Sequence, residues 1–526
     1  MKQFSEMSGL KLNVEKISCM PIGDTENSNI INNYNIKWVD EMKILGVLFS
    51  RYNKDITERN MQTKLVQIQN DIISWNRRKL TPLGKITVIK SLLISKIVHL
   101  LTALPNPSKS ALKELEKLFF NFIWGGKRDP IKRAKLTQTY ANGGLRMVDI
   151  TAFTNSLKLT WLKRMMTSEN TWVRVANLGL GDIQNILCYG TVKLNTLCKQ
   201  IQNPFWVDVL HAYSQFTADY FLPSEDILSE KIWFSDYTKF KNTIIKQWDE
   251  HGLRFISDLF DENTGRLHTK ESVETKYNIK MTFLCYQSLI RSLPLRVKNI
   301  PTPIKINQPG VPKRIHTVLD HVHSFHRIAY KTYMDKINTK MKSVNEHLVR
   351  KWTRDIGSFT EDSLLDVIQT TNSTYIRCFH FKLENRIIST NVFLNIIGIL
   401  DHDKCSFCGQ EKEKIIHLYW HCHKVQYFSQ QRDTKMFVPT WQEHIKNNPN
   451  KWFFPQGSKI QVLVITLAKL IIHESRLKFC QPTVAHLIKR LKLEAEIENF
   501  KSKLTGKENS YNAKWHCLNH LFIQQD

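Results

Sequence analysis

A chain of 526 residues with 42% hydrophobic content has room for about three domains of roughly 100 to 200 residues and for packed cores, which excludes a disordered tail. Its 75 Lys and Arg outnumber its 48 Asp and Glu, a net charge of +27, so a polyanion is the first partner to consider, nucleic acid ahead of anionic membrane. The start of the chain lacks the apolar core of a secretory signal. The longest apolar run, Ile460 to Ile472, contains Lys469 and falls short of the roughly 20 residues that span a bilayer, and the 10 cysteines are too dispersed for a disulfide scaffold. The expectation is an intracellular protein of the nucleus or cytoplasm, neither secreted nor membrane-bound.

In chain order, the first fifty residues alternate turn signals with short strand-like runs, Leu10 to Ile22, Ile36 to Val39, and Ile44 to Phe49 around Gly46, which predicts a small sheet edge. From Asp55 the period becomes helical, with Met61, Leu65, Ile68, Ile72 and Trp75 on one face. A second helix is predicted after Thr81-Pro82, ending before Pro105. A third is predicted from about Ser108 to Trp124, stopped by Gly125-Gly126, and a fourth after Asn142-Gly143-Gly144. Four such helices with short connections predict a compact bundle. Between Arg51 and Arg164 stand 22 Lys and Arg against 7 Asp and Glu, so more than half of the excess charge lies in about a fifth of the chain. Two clusters are the candidate phosphate contacts: Arg77, Arg78 and Lys79 with Lys85, and Lys127, Arg128, Lys132, Arg133 and Lys135.

Residues 165 to 300 carry aromatic-rich helical patches and no chemical motif. Pro301, Pro303, Pro309 and Pro312 predict a linker, and helical patterns resume beyond it. Cys405-x2-Cys408-x8-His417-x4-Cys422 offers three thiolates and an imidazole, the donor set that tetrahedral Zn²⁺ prefers. Four protein ligands leave no open coordination position, so the metal is expected to be structural. His421 and His423 are alternative ligands, which leaves the third and fourth positions less secure than Cys405 and Cys408. A basic amphipathic helix pair is predicted from about Lys459 to Lys503, broken near Pro482.

Three blocks resemble the LINE-type (non-LTR) retrotransposon reverse transcriptases. Ser8-Gly9-Leu10-Lys11-Leu12-Asn13-Val14-Glu15-Lys16 is similar to their palm motif D, and Lys43-Ile44-Leu45-Gly46-Val47-Leu48-Phe49 to the motif E primer-grip hairpin. Trp75 to Lys85, Leu104-Pro105-Asn106-Pro107, Phe122-Ile123-Trp124 and Asn142-Gly143-Gly144-Leu145 resemble the thumb. Phe379-His380-Phe381-Lys382 with Arg386 and Thr390-Asn391, followed by Cys405 to Cys422 and including His417-Leu418-Tyr419-Trp420, resembles the C-terminal zinc-binding segment.

The resemblance implies a palm remnant over 1–53, a helical thumb over 54–167, a helical connecting region over 168–312, and a C-terminal domain over 313–526 whose zinc segment covers about 362–430. The whole is mostly α with a small β remnant at its N-terminus. It places Lys16 near an incoming nucleotide and Leu45-Gly46 at a primer end, and it implies that the thumb grips a template-primer duplex. Lys382 and Arg386 fall in the segment that helps bind element RNA or target DNA. Family polymerases carry an aromatic-x-Asp-Asp tetrapeptide ahead of motif D, and no adjacent Asp-Asp pair occurs here. The expectation is therefore a truncated product that binds RNA or DNA without a catalytic residue of its own, with Mg²⁺ relevant only to the full-length enzyme. The full-length element protein or its RNA would be the partner. The alternative is a domesticated zinc-containing module that docks a host protein.

Overall fold

The computed structural model describes residues 6–9, 13, 17–21, 37–51, 55–218, 227–233, 235–236, 245–261, 263–298, 325–340, 342–357, 366–436, 448–455 and 457–518. Lys16, most of the motif D block and the proline-rich 301–312 stretch lie outside the described residues. The protein is mostly helical, with four short strands near its N-terminus among the described residues. It divides into two compact units that interleave in sequence. One holds Met1–Gln69, Ser95–Leu115 and Ile150–Lys336, the other Asn70–Ile94, Glu116–Asp149 and Ile337–Asp526. A bundle expected to be continuous over 54–167 is thus shared between the units, because the apolar faces of its helices find partners far away in sequence. The helix Pro82–Val88, for example, packs on Thr374–Glu384, and Leu83 N–H reaches Cys378 Sγ at 3.4 Å across 295 residues of chain.

In the first unit, strands Glu41–Ile44 and Val47–Ser50 form an antiparallel hairpin, while Ser18–Cys19 and Lys37–Trp38 pair in parallel. The hairpin pairs Ile44 with Val47, so Leu45-Gly46 is a two-residue turn that interrupts the strand-like run expected from Ile44 to Phe49. Both turn residues have positive φ, 49° and 86°, the geometry that matches the twist of paired strands and that glycine adopts without strain. Asn60, nearly fully buried on the helix Ile56–Asn76, clamps the hairpin: its side chain accepts from Leu48 N–H and donates to Leu48 C=O, both at 2.8 Å. Val47 packs with Leu100 and Leu104.

The helix predicted after Thr81 is real at its start, where Pro82 occupies the first turn and the Thr81 hydroxyl accepts from Gly84 N–H. It runs into a π-helical turn at Ile89–Leu93 before Ser95–Ala103. Lys158, buried on Ile150–Thr167, donates to the carbonyls of Leu101 and Leu104 and so ties the end of Ser95–Ala103 down. The stretch that carried no motif has a core of its own, built on Trp233, Trp248, Leu253, Val273 and Leu289, with Trp233 Nε1 donating to Leu253 C=O at 2.7 Å.

The second unit is organised around Lys459–Leu477. A reciprocal cap opens this helix, with Ser458 and Gln461 each bonding the other's backbone N–H. It is not the basic amphipathic helix expected from sequence. Ile460, Val462 to Leu467 and Leu470 to Ile472 are all buried, so nearly its whole circumference is core. Lys469 is fully buried and donates to Phe453 C=O at 3.0 Å, and its removal from water lowers the ammonium pKa to about 7. Trp352, Phe379, Tyr419, Trp452, Phe453 and Leu487 complete this core. No single helix among the described residues is long and apolar enough to cross a membrane.

Candidate metal centre and basic surface

Cys405 and Cys408 sit at the two ends of a tight loop. The loop is held by an antiparallel bridge between Lys404 and Lys412, by Cys405 N–H donating to Glu411 C=O at 2.7 Å, and by Gly409 N–H donating to Cys405 C=O at 2.9 Å. Gly409 takes φ 67°, which lets the chain reverse directly after the second thiol. The other two donors come from a π-helical turn, His417–His421, whose closing bond runs from Cys422 N–H to His417 C=O at 2.8 Å. An ordinary α-helix would turn residues five apart well away from each other. The wider π turn returns His417 and Cys422 to one side, which is how an x4 spacing supplies two converging ligands.

The four ligand atoms lie within 4.8 Å of one another. Cys405 and Cys422 Sγ are 3.9 Å apart, and Cys408 Sγ is 3.4 Å from His417 Nε2. A tetrahedral ion with metal–sulfur bonds near 2.3 Å needs ligand separations of about 3.7 Å, so the cluster can hold a metal ion with little rearrangement. Cys405 donates to Cys422. That contact raises the Cys405 pKa and lowers that of Cys422, while burial makes His417 harder to protonate. His421 and His423 are exposed and stand outside the cluster, of which His417 is the imidazole member.

Behind the cluster lies a network that sequence reasoning missed. Glu413 is fully buried and accepts from Asn391 N–H at 2.9 Å, from Ser406 N–H at 2.8 Å and Ser406 Oγ at 2.6 Å, and from the Arg476 guanidinium at 2.7 Å. Arg476 also donates to Asn391 Oδ1 at 2.9 Å. One carboxylate therefore joins the thiol-bearing loop, the start of Asn391–Ile396 and the end of Lys459–Leu477. An acidic residue between two ligand pairs was the available signal, but its partners are 22 and 63 positions away. Tyr419 Oη lies 3.2 Å from His473 Nδ1, and burial pushes His473 down to about 4, so this ring stays neutral.

Next to the loop opens a cavity of about 960 Å³ lined by apolar Ile387, Leu394, Leu400 and Phe479 and by Lys382, His402, Lys404 and Arg476. Lys382 thus faces a cationic, partly apolar recess. Arg386 does not: its guanidinium is committed to Asp355 and Lys351 C=O and lies 4.6 Å over the Trp352 ring, and its φ is 55°.

The other predicted contacts separate into two groups. Arg77, Arg78, Lys79, Lys127, Arg128 and Lys132 are exposed, with Arg78 lying 4.3 Å over the Trp75 ring. Lys85, Arg133 and Lys135 have structural duties. Lys85 Nζ donates to Phe122 C=O at 2.8 Å, closing the end of Lys109–Trp124, and partial burial lowers its pKa. Arg133 pairs with Asp129 at 2.7 Å and Glu116 at 3.7 Å and lies 4.8 Å over Phe120. Lys135 is 3% exposed and donates to Asn142 C=O at 2.7 Å. A phosphate cannot reach it without unfolding the turn at Asn142-Gly143-Gly144, where a Cβ on Gly144 would stand 2.3 Å from Gln138 C=O. Leu45, 96% exposed, and Gly46 sit at the hairpin tip in the other unit. No family model matches this chain.

Proposed function

We propose that this chain is a nucleic-acid-binding segment of a LINE-type reverse transcriptase, folded around a structural Zn²⁺ and without polymerase chemistry of its own. The observation that carries the reading is the convergence of Cys405, Cys408, His417 and Cys422 beside a cation-lined recess, in a unit whose other exposed cations include Arg77-Arg78-Lys79. Three thiolates and an imidazole select zinc over hard cations such as Mg²⁺, and four protein donors leave no position for a reacting water. The metal's role is then to hold the loop that presents Lys404 and the recess. Binding comes from backbone phosphates, with RNA–DNA hybrids or structured RNA as ligands. Lys16 and Leu45-Gly46 keep the nucleotide and primer roles that the family resemblance implies.

The test is a zinc assay together with fluorescence anisotropy on a labelled hybrid, titrated over roughly 50 to 200 mM salt. About one zinc per chain and an affinity that falls steeply with salt are expected. A zinc-free folded protein would remove the metal from the reading. A salt-independent or absent affinity would favour the protein-docking alternative.

A further inference from the structure

The helix Val484–Thr505 is apolar on two opposite sides. Leu487, Leu491 and Ala495 belong to the core around Lys459–Leu477. At 100° per residue, Leu493, Ile497, Phe500 and Leu504 fall on the far side, where they are 44, 53, 68 and 72% exposed. They are separated by four, three and four residues, the repeat of a coiled-coil seam and not the scatter of single surface apolar residues. The seam runs for about 16 Å, into the last turn before Gly506 closes the helix in a left-handed cap.

The charges beside the seam select its occupant. Glu496 and Lys503, both exposed, precede Ile497 and Leu504 on the same edge. If two such helices lie antiparallel, Ile497 faces Phe500 of the other copy and Leu493 faces its Leu504, giving four layers. The same register sets each Glu496 beside the other copy's Lys503, so the ion pair forms twice by symmetry. A parallel register stacks Phe500 on itself and sets Lys503 opposite position 508 of the other copy, beyond the helix end at Gly506. We propose that this face mates with the same face of a second copy of the chain, joining two molecules by an antiparallel helix pair. This goes beyond nucleic-acid binding and does not depend on it. Four layers bury less than the roughly 800 Å² per partner of a standard stable interface, so the dimer should be weak, with a dissociation constant in the micromolar range.

Sedimentation equilibrium of the full chain, zinc-loaded and freed of nucleic acid by nuclease, tests this over roughly 1 to 100 µM protein. The expected result is a monomer–dimer equilibrium. Phe500→Asp, or Ile497→Lys as a second exposed-site variant, should leave the chain monomeric throughout. Glu496→Lys should weaken association by roughly five- to tenfold. Adding Lys503→Glu should restore it, a rescue that the parallel register cannot give. A wild-type monomer across the whole range, association indifferent to both apolar variants, or failure of the charge-swap rescue would each overturn the proposal.

Discussion

The candidate metal loop at 405–422 and the basic clusters at 77–85 and 127–135 belong to the same compact unit, yet their residues bear on function in opposite ways. In the loop, the four soft donors named from spacing alone all arrive within 4.8 Å of one another. In the basic stretch, only six of the nine cations named for phosphate contact are exposed; Lys85, Arg133 and Lys135 hold the protein's own carbonyls and carboxylates. The difference is physical. A metal site works only if its ligands converge, so spacing constrains geometry. A lysine serves equally well as a phosphate contact, a helix cap or a buried strut, and sequence does not separate these uses.

That contrast can be broken most forcefully at the thiols. Replacing Cys405 and Cys408 by Ser should take zinc from about one per chain to none and remove on the order of 10 kcal/mol of folding free energy from the loop. Limited proteolysis should then cut within 391–436; an unchanged zinc content would end the assignment. Glu413→Ala should come next. It leaves Arg476 buried without its carboxylate, at a cost of about 3 to 5 kcal/mol, and it should weaken zinc binding by about 10- to 100-fold, read by competition with a chelator. A wild-type melting temperature in this variant would mean that the network carries no load.

Smaller effects sharpen the division among the cations. Lys135→Met should lower stability by about 1 to 3 kcal/mol, because Asn142 C=O loses its donor, while the salt dependence of nucleic-acid binding stays as in wild type. Arg77→Gln, Arg78→Gln and Lys79→Gln together should do the reverse. Stability should change by no more than about 0.5 kcal/mol, and the slope of log affinity against log salt should flatten by up to about 3. If the Lys135 variant alters the slope and the triple variant does not, the exposed and structural groups have been exchanged.

Much of the local architecture was legible in the sequence. The helices at Ile56–Asn76, Lys109–Trp124 and Ile150–Thr167 fall where periodicity and Gly or Pro punctuation put them, since both are properties of short windows. The hairpin was visible in the family resemblance, although the strand-like run from Ile44 to Phe49 read alone passes through its turn. Lys459–Leu477 was misread because its few polar residues imply a wet face, whereas Lys469 is buried and its removal from water lowers its pKa to about 7. The Trp233 and Trp248 core within 165–300 is apolar packing, which leaves no motif of fixed spacing in the sequence.

The sequence by itself determined the soft ligand set, the positions of the main helices and the basic excess, because each depends on residue type at short spacing. Only the tertiary structure decided that Pro82–Val88 packs beside Cys378, that Glu413 joins three distant segments, and which cations face solvent. Those outcomes depend on which buried face meets which. Apolar burial drives them without direction or address, so many pairings satisfy the same pattern until the whole chain is packed.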